Sequence, residues 1–73
     1  MLISGSKQAV LQTIRLVDIH GTRFYDIGFT HEDAPGQLHS ARIGVEDAYE
    51  LPQAGDLVAV SYLMNIVTGV RRR

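Results

Sequence analysis

The sequence predicts an all-β fold, a small five-stranded and strongly bent barrel with one short helical turn between strands 3 and 4. Two observations predict it. Apolar and polar residues alternate over several short runs, as they do along a half-buried β-strand. Turn signals that contain glycine separate these runs at short intervals, as in a meandering sheet. A chain of 73 residues is expected to close such a sheet, since closure removes exposed edges.

The length and composition predict one domain over residues 1–73, with 1–6 and 71–73 as flexible ends. The chain is 45% hydrophobic and 21% charged, has no cysteine, and so resembles an ordinary globular protein without disulfides. No apolar run approaches the roughly 18 residues that span a bilayer, and the first ten residues lack the pattern of a signal peptide. We expect a cytoplasmic protein that does not contact membranes.

Two interpretations of residues 7–20 remain open, a helix and a strand. A helix would place several apolar side chains on one stripe and would end at Gly21. A strand would turn at His20 and Gly21 into the run 22–30, because glycine accepts the positive φ of a two-residue hairpin loop. We favour the hairpin and keep the helix as the alternative.

The pairing within this hairpin can be predicted residue by residue. A two-residue loop brings apolar partners and opposite charges face to face at every rung, and each such pair contributes about 0.2–1 kcal/mol. A slip of one residue would separate all of them. The predicted pairs are Ile14 with Ile27, Arg15 with Asp26, Leu16 with Tyr25, Val17 with Phe24, and Asp18 with Arg23.

The third strand is predicted to follow a turn at Pro35 and Gly36. Proline fixes φ near that of the first turn position, and glycine takes the positive φ that follows. A three-residue loop over 34–36 continues the apolar face of the hairpin. It would pair Phe29 with Ala41, Ile27 with Ile43, Tyr25 with Val45, and His31 with His39.

The acidic run that follows is predicted to hold the helical turn and then a second turn. Residues 46–51 can form one helical turn that ends before Pro52, because the residue before proline avoids the α region. Gly55 and Asp56 then form a turn. The chain there passes from an acidic, broken segment into a continuous apolar one.

The fourth strand carries Val58, Val60 and Tyr62 toward the core. Its other side is not polar either, so we expect the strand to be central or covered. A turn near Met64 and Asn65 leads into the last strand. Five short strands with a helical break before the fourth are typical of an OB-like or SH3-like barrel.

Two stretches carry a resemblance to known families. "GTRFY" (21–25), a hairpin and the later "PQAGDLVAVSY" (52–62) resemble the layout of the small single-stranded DNA-binding proteins of filamentous phages. The second stretch also resembles small β-domains of unknown function in bacterial membrane-anchored proteins. Both resemblances imply a barrel. The phage family implies that Phe24 and Tyr25 stack on bases, with Tyr62 as a further candidate.

The charge distribution favours protein contact over nucleic acid. Nucleic-acid binding needs cations along a groove, but residues 1–70 carry four basic and eight acidic side chains, a net charge of −4. Arg15 and Arg23 already face carboxylates in the predicted hairpin. A single-stranded nucleic-acid binder that uses the terminal arginines is therefore the alternative function.

The main prediction is a non-enzymatic binding module, a homodimeric accessory or regulatory protein of bacterial or phage origin. Tyr49 lies among Glu46, Asp47 and Glu50 and could anchor a basic partner. The other interpretation is a solvated connector with Tyr49 folded over the end of the barrel. The predicted binding residues are Phe24, Tyr25, Tyr49, Arg71, Arg72 and Arg73.

Catalytic and metal sites are not predicted. The glycines are scattered rather than grouped into a phosphate loop, and Ser61 lacks a nucleophile elbow. His31 and His39 on adjacent strands could share a metal, but a zinc site usually needs a third protein ligand. We therefore expect no enzyme activity, no cofactor and no metal.

Overall fold

The structure is a computed structural model that describes residues 4–73, and it is all-β as predicted. Five antiparallel strands form one sheet in the order β3-β2-β1-β4-β5. A 3-10 turn lies between the third and fourth strands, in the predicted place. The strands are β1 (Ser4–Ile19), β2 (Thr22–His31), β3 (Ala34–Gly44), β4 (Leu57–Leu63) and β5 (Ile66–Arg72), and the 3-10 turn is Val45–Asp47.

The sheet bends around β1, which is shared by both halves of the fold. The first part of this strand pairs with β4 and the second part with β2. A bulge between Leu11 and Thr13 interrupts the second ladder and strengthens the local twist. Gly28 lies opposite Thr13, and a Cβ on this glycine would overlap the Thr13 hydroxyl. A side chain at position 28 would therefore have to displace the Thr13 hydroxyl where the strand bends.

The closed barrel that the sequence predicts is not shown. β3 and β5 are the two edge strands and approach each other at one side of the molecule. Among the described residues 4–73, no ladder joins them, so the sheet is open. None of the helical segments found in this part of the chain is long and apolar enough to cross a membrane.

The hairpin of β1 and β2 has the predicted register at all five rungs. His20 and Gly21 adopt φ of 53° and 84°, as in a type I′ turn. The Asp18 carboxylate accepts a 2.9 Å hydrogen bond from the Gly21 amide. The helical interpretation of residues 7–20 is therefore wrong.

The predicted register between β2 and β3 is wrong by two residues. The turn lies at Glu32 and Asp33, and β3 begins at Ala34. Residues 35–37 bulge out of the edge strand, because the ladder jumps from the pair His31–Ala34 to the pair Thr30–Leu38. A shift of two residues keeps every side chain on its predicted face. The observed pairs are Phe29 with His39, Ile27 with Ala41, and Tyr25 with Ile43.

The core lies on one face of the sheet, which we call the inner face. Val58 and Val60 belong to it as predicted, and Tyr62 packs against it while partly exposed. β4 is central, since it pairs on both sides, but Leu57 and Leu63 on its outer face are each 55% exposed. The buried apolar residues are Ala9, Leu11, Ile27, Phe29, Ile43, Val58, Val60 and Val70.

The turns that flank β4 are close to their predicted positions. Gly55 has φ of 93°, and the Asp56 carboxylate accepts a 3.0 Å hydrogen bond from the Gln53 amide. Met64 and Asn65 both have positive φ and form the turn between β4 and β5.

The ends of the described chain lie in strands. Ser4–Ser6 pair with β4, and Arg71 and Arg72 pair with it from the other side. Residues 1–3, which the sequence predicts to be part of a flexible end, lie outside the described residues.

Candidate functional site

Residues 45–56, which we call the connector, cross one end of the sheet. The predicted helical turn over 46–51 is shorter than expected and covers only Val45–Asp47. Ala48 is extended, and Leu51 has φ of 52°, so the chain leaves the helical path well before Pro52. This path brings Tyr49 next to Tyr25 of β2. Together they line a connector cleft of about 440 Å³ formed by Tyr25, Val45, Ala48, Tyr49, Glu50 and Leu51.

Tyr49 is a fixed wall of the connector cleft. Its hydroxyl donates a 2.6 Å hydrogen bond to the Asp56 carboxylate, and the Arg72 guanidinium lies 5.2 Å from its ring centroid. Burial, followed by the hydrogen bond to Asp56, raises the pKa of Tyr49 well above its usual value. The same hydrogen bond lowers the pKa of Asp56. The ring thus presents an apolar surface that is already ordered.

Leu51 is the most exposed large apolar side chain in residues 4–73, at 77%. Its φ of 52° is a conformation that a leucine adopts only at a cost. Leu16 of β1 is also exposed, at 52%. It is the cross-strand partner of Tyr25, which lines the connector cleft. Two features that both disfavour the free protein, exposure and a strained backbone, coincide at Leu51, and such sites are often functional.

Three of the four carboxylates of the connector form no ion pair within residues 4–73. Four other carboxylates form ion pairs. The pairs are Asp26 with Arg42, Glu32 with Arg73, Asp33 with Lys7, and Asp56, at the end of the connector, with Arg72. Within residues 4–73, Glu46, Asp47 and Glu50 form none. Glu50 lines the connector cleft, whereas Glu46 and Asp47 line a neighbouring pocket together with Arg71, so this end of the sheet carries negative potential.

The predicted binding residues do not form one surface. Tyr25 and Tyr49 meet in the connector cleft. Phe24, the neighbour of Tyr25 in the strand, points to the outer face. Arg72 lies over Tyr49, whereas Arg71 pairs with Ala59.

Arg73 holds several parts of the sheet together. Its guanidinium donates hydrogen bonds to the carbonyls of Val58 at 3.1 Å and Ala9 at 2.9 Å. It also donates to Glu32 at 2.6 Å and to the Gln8 amide oxygen at 3.1 Å. Only 20% of the side chain is exposed. Sequence reasoning missed this role, because nothing in a run of three arginines distinguishes the third.

Replacing Arg73 by alanine is expected to lower the free energy of unfolding by about 1–3 kcal/mol, the usual cost of losing hydrogen bonds to a charged group. Urea denaturation measures the change. Arg71→Ala is the matched control, since Arg71 forms no ion pair within residues 4–73, and should change stability by less than about 0.5 kcal/mol. Equal effects of the two variants would contradict the assigned role.

The outer face around Phe24 combines an aromatic ring with both signs of charge. Arg42 donates two hydrogen bonds to Asp26, at 2.6 and 2.9 Å, which lower the pKa of this carboxyl. The Glu46 carboxylate lies against Gly44, the cross-strand partner of Phe24. Negative groups therefore flank the ring on two sides.

A second cluster that sequence reasoning only partly foresaw lies on the inner face. His31 and His39 are diagonal rather than directly opposite, because Phe29 takes the place opposite His39. Their ring centroids are still 4.4 Å apart. Tyr62, which sequence reasoning did not connect with them, forms a 2.6 Å hydrogen bond with His31. Within residues 4–73, no group of three or more His, Cys, Asp or Glu residues is arranged to hold a metal ion.

Comparisons with known proteins add no assignment. A scan against protein-family models, a search of curated proteins and a search of solved structures each find no match to this chain. The resemblances noted in the sequence therefore depend on the quoted motifs alone, and the function has to be argued from the surface of the protein.

Proposed function

We propose that the protein is a non-enzymatic binding module whose connector cleft holds a segment of a protein partner. The segment carries an apolar side chain next to basic residues. The observation that supports this most strongly is that an exposed, strained Leu51 lines the same cleft as Glu50. Two further carboxylates of the connector, Glu46 and Asp47, also form no ion pair in residues 4–73.

The apolar part of the cleft would supply most of the affinity. Covering an exposed leucine contributes about 1.5–3 kcal/mol. Tyr49 is already held by Asp56 and Arg72, so its ring loses little conformational entropy on binding. The cleft is small, and a short peptide segment is a better match for it than a large folded surface.

The carboxylates would select the charge of the partner. Glu46 and Glu50 are exposed, where charges mainly affect the association rate and specificity. Binding should therefore weaken as salt is added. A partner segment with acidic flanks should be rejected by the same carboxylates.

Selection from a random 12-residue peptide library tests the proposal. We expect enrichment of peptides that combine a leucine, methionine or aromatic residue with lysine or arginine. Neutralising the three carboxylates together, by Glu46→Gln, Asp47→Asn and Glu50→Gln, should weaken these peptides, and Glu32→Gln serves as a single-site control outside the connector. Enrichment of acidic peptides, or of none, would contradict the proposal.

Self-association is the second part of the proposal, as a homodimer that acts as a cytoplasmic accessory or regulatory protein. Leu63, Met64 and Ile66 form an apolar tip on the β4–β5 hairpin and are 55%, 71% and 68% exposed. A chain of this size also gains stability when it covers such surface.

Light scattering is expected to give a mass of twice 8.1 kDa. Met64→Ser should shift the protein toward the single-chain mass, because it removes the most exposed side chain of the tip. Leu38→Ser, at an exposed leucine of β3, is the matched control. If the protein is monomeric at all concentrations, the homodimer is contradicted. The proposal for the connector cleft does not depend on this result, because the peptide selection tests it separately.

A nucleic-acid binder of the OB type is the second candidate. The bent sheet with a shared β1 supports it, as does the presence of Phe24, Arg15 and Arg42 on the outer face, since OB folds bind oligonucleotides on strands 2 and 3. Asp26 and Glu46 oppose it. A fluorescent oligonucleotide titrated at low and at moderate salt decides: no binding at low salt removes this candidate, whereas salt-sensitive binding lost in the double variant Arg71→Ala and Arg72→Ala, which leaves the structural Arg73 in place, supports it.

A further inference from the structure

Two imidazoles lie beside each other where β2 ends, away from the connector cleft. The rings of His31 and His39 lie 4.4 Å apart with an interplanar angle of 37°. Phe29 stacks on His39 at 5.5 Å and lies 5.6 Å from His31. His31 is only 9% exposed. The two rings are thus close enough for a charge on one to oppose a charge on the other.

The hydrogen bonds of the pair connect the β2–β3 hairpin to β4. His31 Nε2 and the Tyr62 hydroxyl are joined at 2.6 Å. His39 Nε2 is buried and has no hydrogen-bond partner among the described residues. A buried polar nitrogen without a partner is costly, so the pair lies at a weak point of the inner face.

The charged groups around the pair come from three elements. Lys7 of β1 forms a 3.2 Å ion pair with Asp33 in the β2–β3 turn, and Glu32 in the same turn is bound by Arg73. Burial, then the proximity of His39 and of Lys7, lowers the pKa of His31, and Asp33 opposes this only in part. The neutral form of His31 is therefore the one that the folded environment favours.

We propose that His31, His39 and Tyr62 form an acid-sensitive latch. While the His31 imidazole is neutral, the latch holds the end of the β2–β3 hairpin on β4. Uptake of a proton by His31 releases this end of the sheet.

The direction of the pH dependence follows from the free energies of protonation. In the released form His31 is solvated and titrates near its ordinary pKa of about 6.5, whereas in the closed form its pKa is lower. The released form therefore binds the proton more tightly, and its population rises as the pH falls below about 6.5, up to tenfold per pH unit until the lower pKa is passed. Well above pH 6.5 the population of the released form is at its minimum and no longer depends on pH.

Amide hydrogen exchange followed by NMR tests the latch. The Glu32 amide donates to the Gln8 carbonyl at 2.9 Å and reports on the hairpin end. The Gly55 amide, bound to the Leu11 carbonyl at 2.7 Å, reports on the connector. After correction for the intrinsic exchange rate, opening at Glu32 should increase by up to about fivefold between pH 6.5 and 5.5, since His31 in the released form is already half protonated at the upper pH, whereas opening at Gly55 should not change.

Two variants separate the latch from general acid sensitivity. His31→Gln retains a hydrogen-bonding group for Tyr62 but does not titrate, and should abolish the pH dependence at Glu32. His20→Asn changes the exposed histidine of the first turn, where asparagine also accepts positive φ. This variant should retain the pH dependence at Glu32. Persistence of the effect in His31→Gln would overturn the proposal. If that variant does not fold, the imidazole titration of the unaltered protein decides: a His31 pKa at or above 6.5 overturns the latch, and a lower one supports it.

Discussion

Replacing Phe29 by alanine is expected to lower the free energy of unfolding by about 3–5 kcal/mol, as for other fully buried aromatic side chains. Phe29 is 1% exposed and is among the largest fully buried side chains of the described chain. It lies between Leu11 and His39 in the ladders of β2, so its loss leaves a cavity where three strands meet. A domain of this size has little more stability than that to lose.

Urea denaturation at pH 7.5 measures the effect. Leu38→Ala is the control, because Leu38 lies on the same two-strand unit but is 64% exposed, and it should change stability by less than about 0.5 kcal/mol. Phe29→Leu, which retains most of the apolar volume, should fall between the two. A small effect of Phe29→Ala would mean that the inner face is not the core of the protein in solution.

Replacing Leu51 by asparagine is expected to raise stability while it weakens binding. Asparagine tolerates the positive φ of this position better than leucine does, so the free energy of unfolding should increase by about 1 kcal/mol, at the lower end of the cost of a left-handed conformation. The same change removes the apolar anchor of the connector cleft, and a library-selected peptide should bind about 30-fold more weakly, as for a central interface residue.

Leu57→Asn is the matched control for this experiment. Leu57 is 55% exposed on the outer face of β4 and does not line the connector cleft. The Leu57→Asn substitution should leave peptide binding unchanged. If Leu51→Asn bound the peptide as tightly as the unaltered protein, Leu51 would have no part in recognition.

The register of the first hairpin could be predicted because each rung contributes independent information. Opposite charges at Asp18 and Arg23 agree with apolar partners at Leu16 and Tyr25, and a loop of two residues satisfies both. The turn at Met64 and Asn65 could be predicted as well, though its positive φ values were not foreseen.

The second hairpin could not be predicted to the same accuracy. Pro35 and Gly36 mark an irregularity in the backbone, but they do not say whether it is the turn itself or a bulge just after it. In the structure the turn is at Glu32 and Asp33, and the proline lies in the bulge of an edge strand, where its missing amide hydrogen is not needed.

The candidate site depended even more on tertiary structure. Sequence reasoning found Tyr25, Tyr49 and the acidic run, but it placed Tyr25 with Phe24 in a base-stacking surface. Alternation along β2 puts these two neighbours on opposite faces, and the path of the connector decides which one meets Tyr49. The role of Leu51 follows from a single backbone angle, for which the sequence holds no signal.

The NMR footprint of a library-selected peptide on the labelled protein tests the central proposal most directly. If the peptide binds in the connector cleft, the largest chemical-shift changes are expected at Tyr25, Tyr49 and Leu51. Smaller changes at Glu46 and Glu50 should diminish with added salt, and Leu57 should show none. Shifts centred instead on Phe24 and Arg42 of the outer face would contradict the account and would place recognition on the opposite side of the sheet.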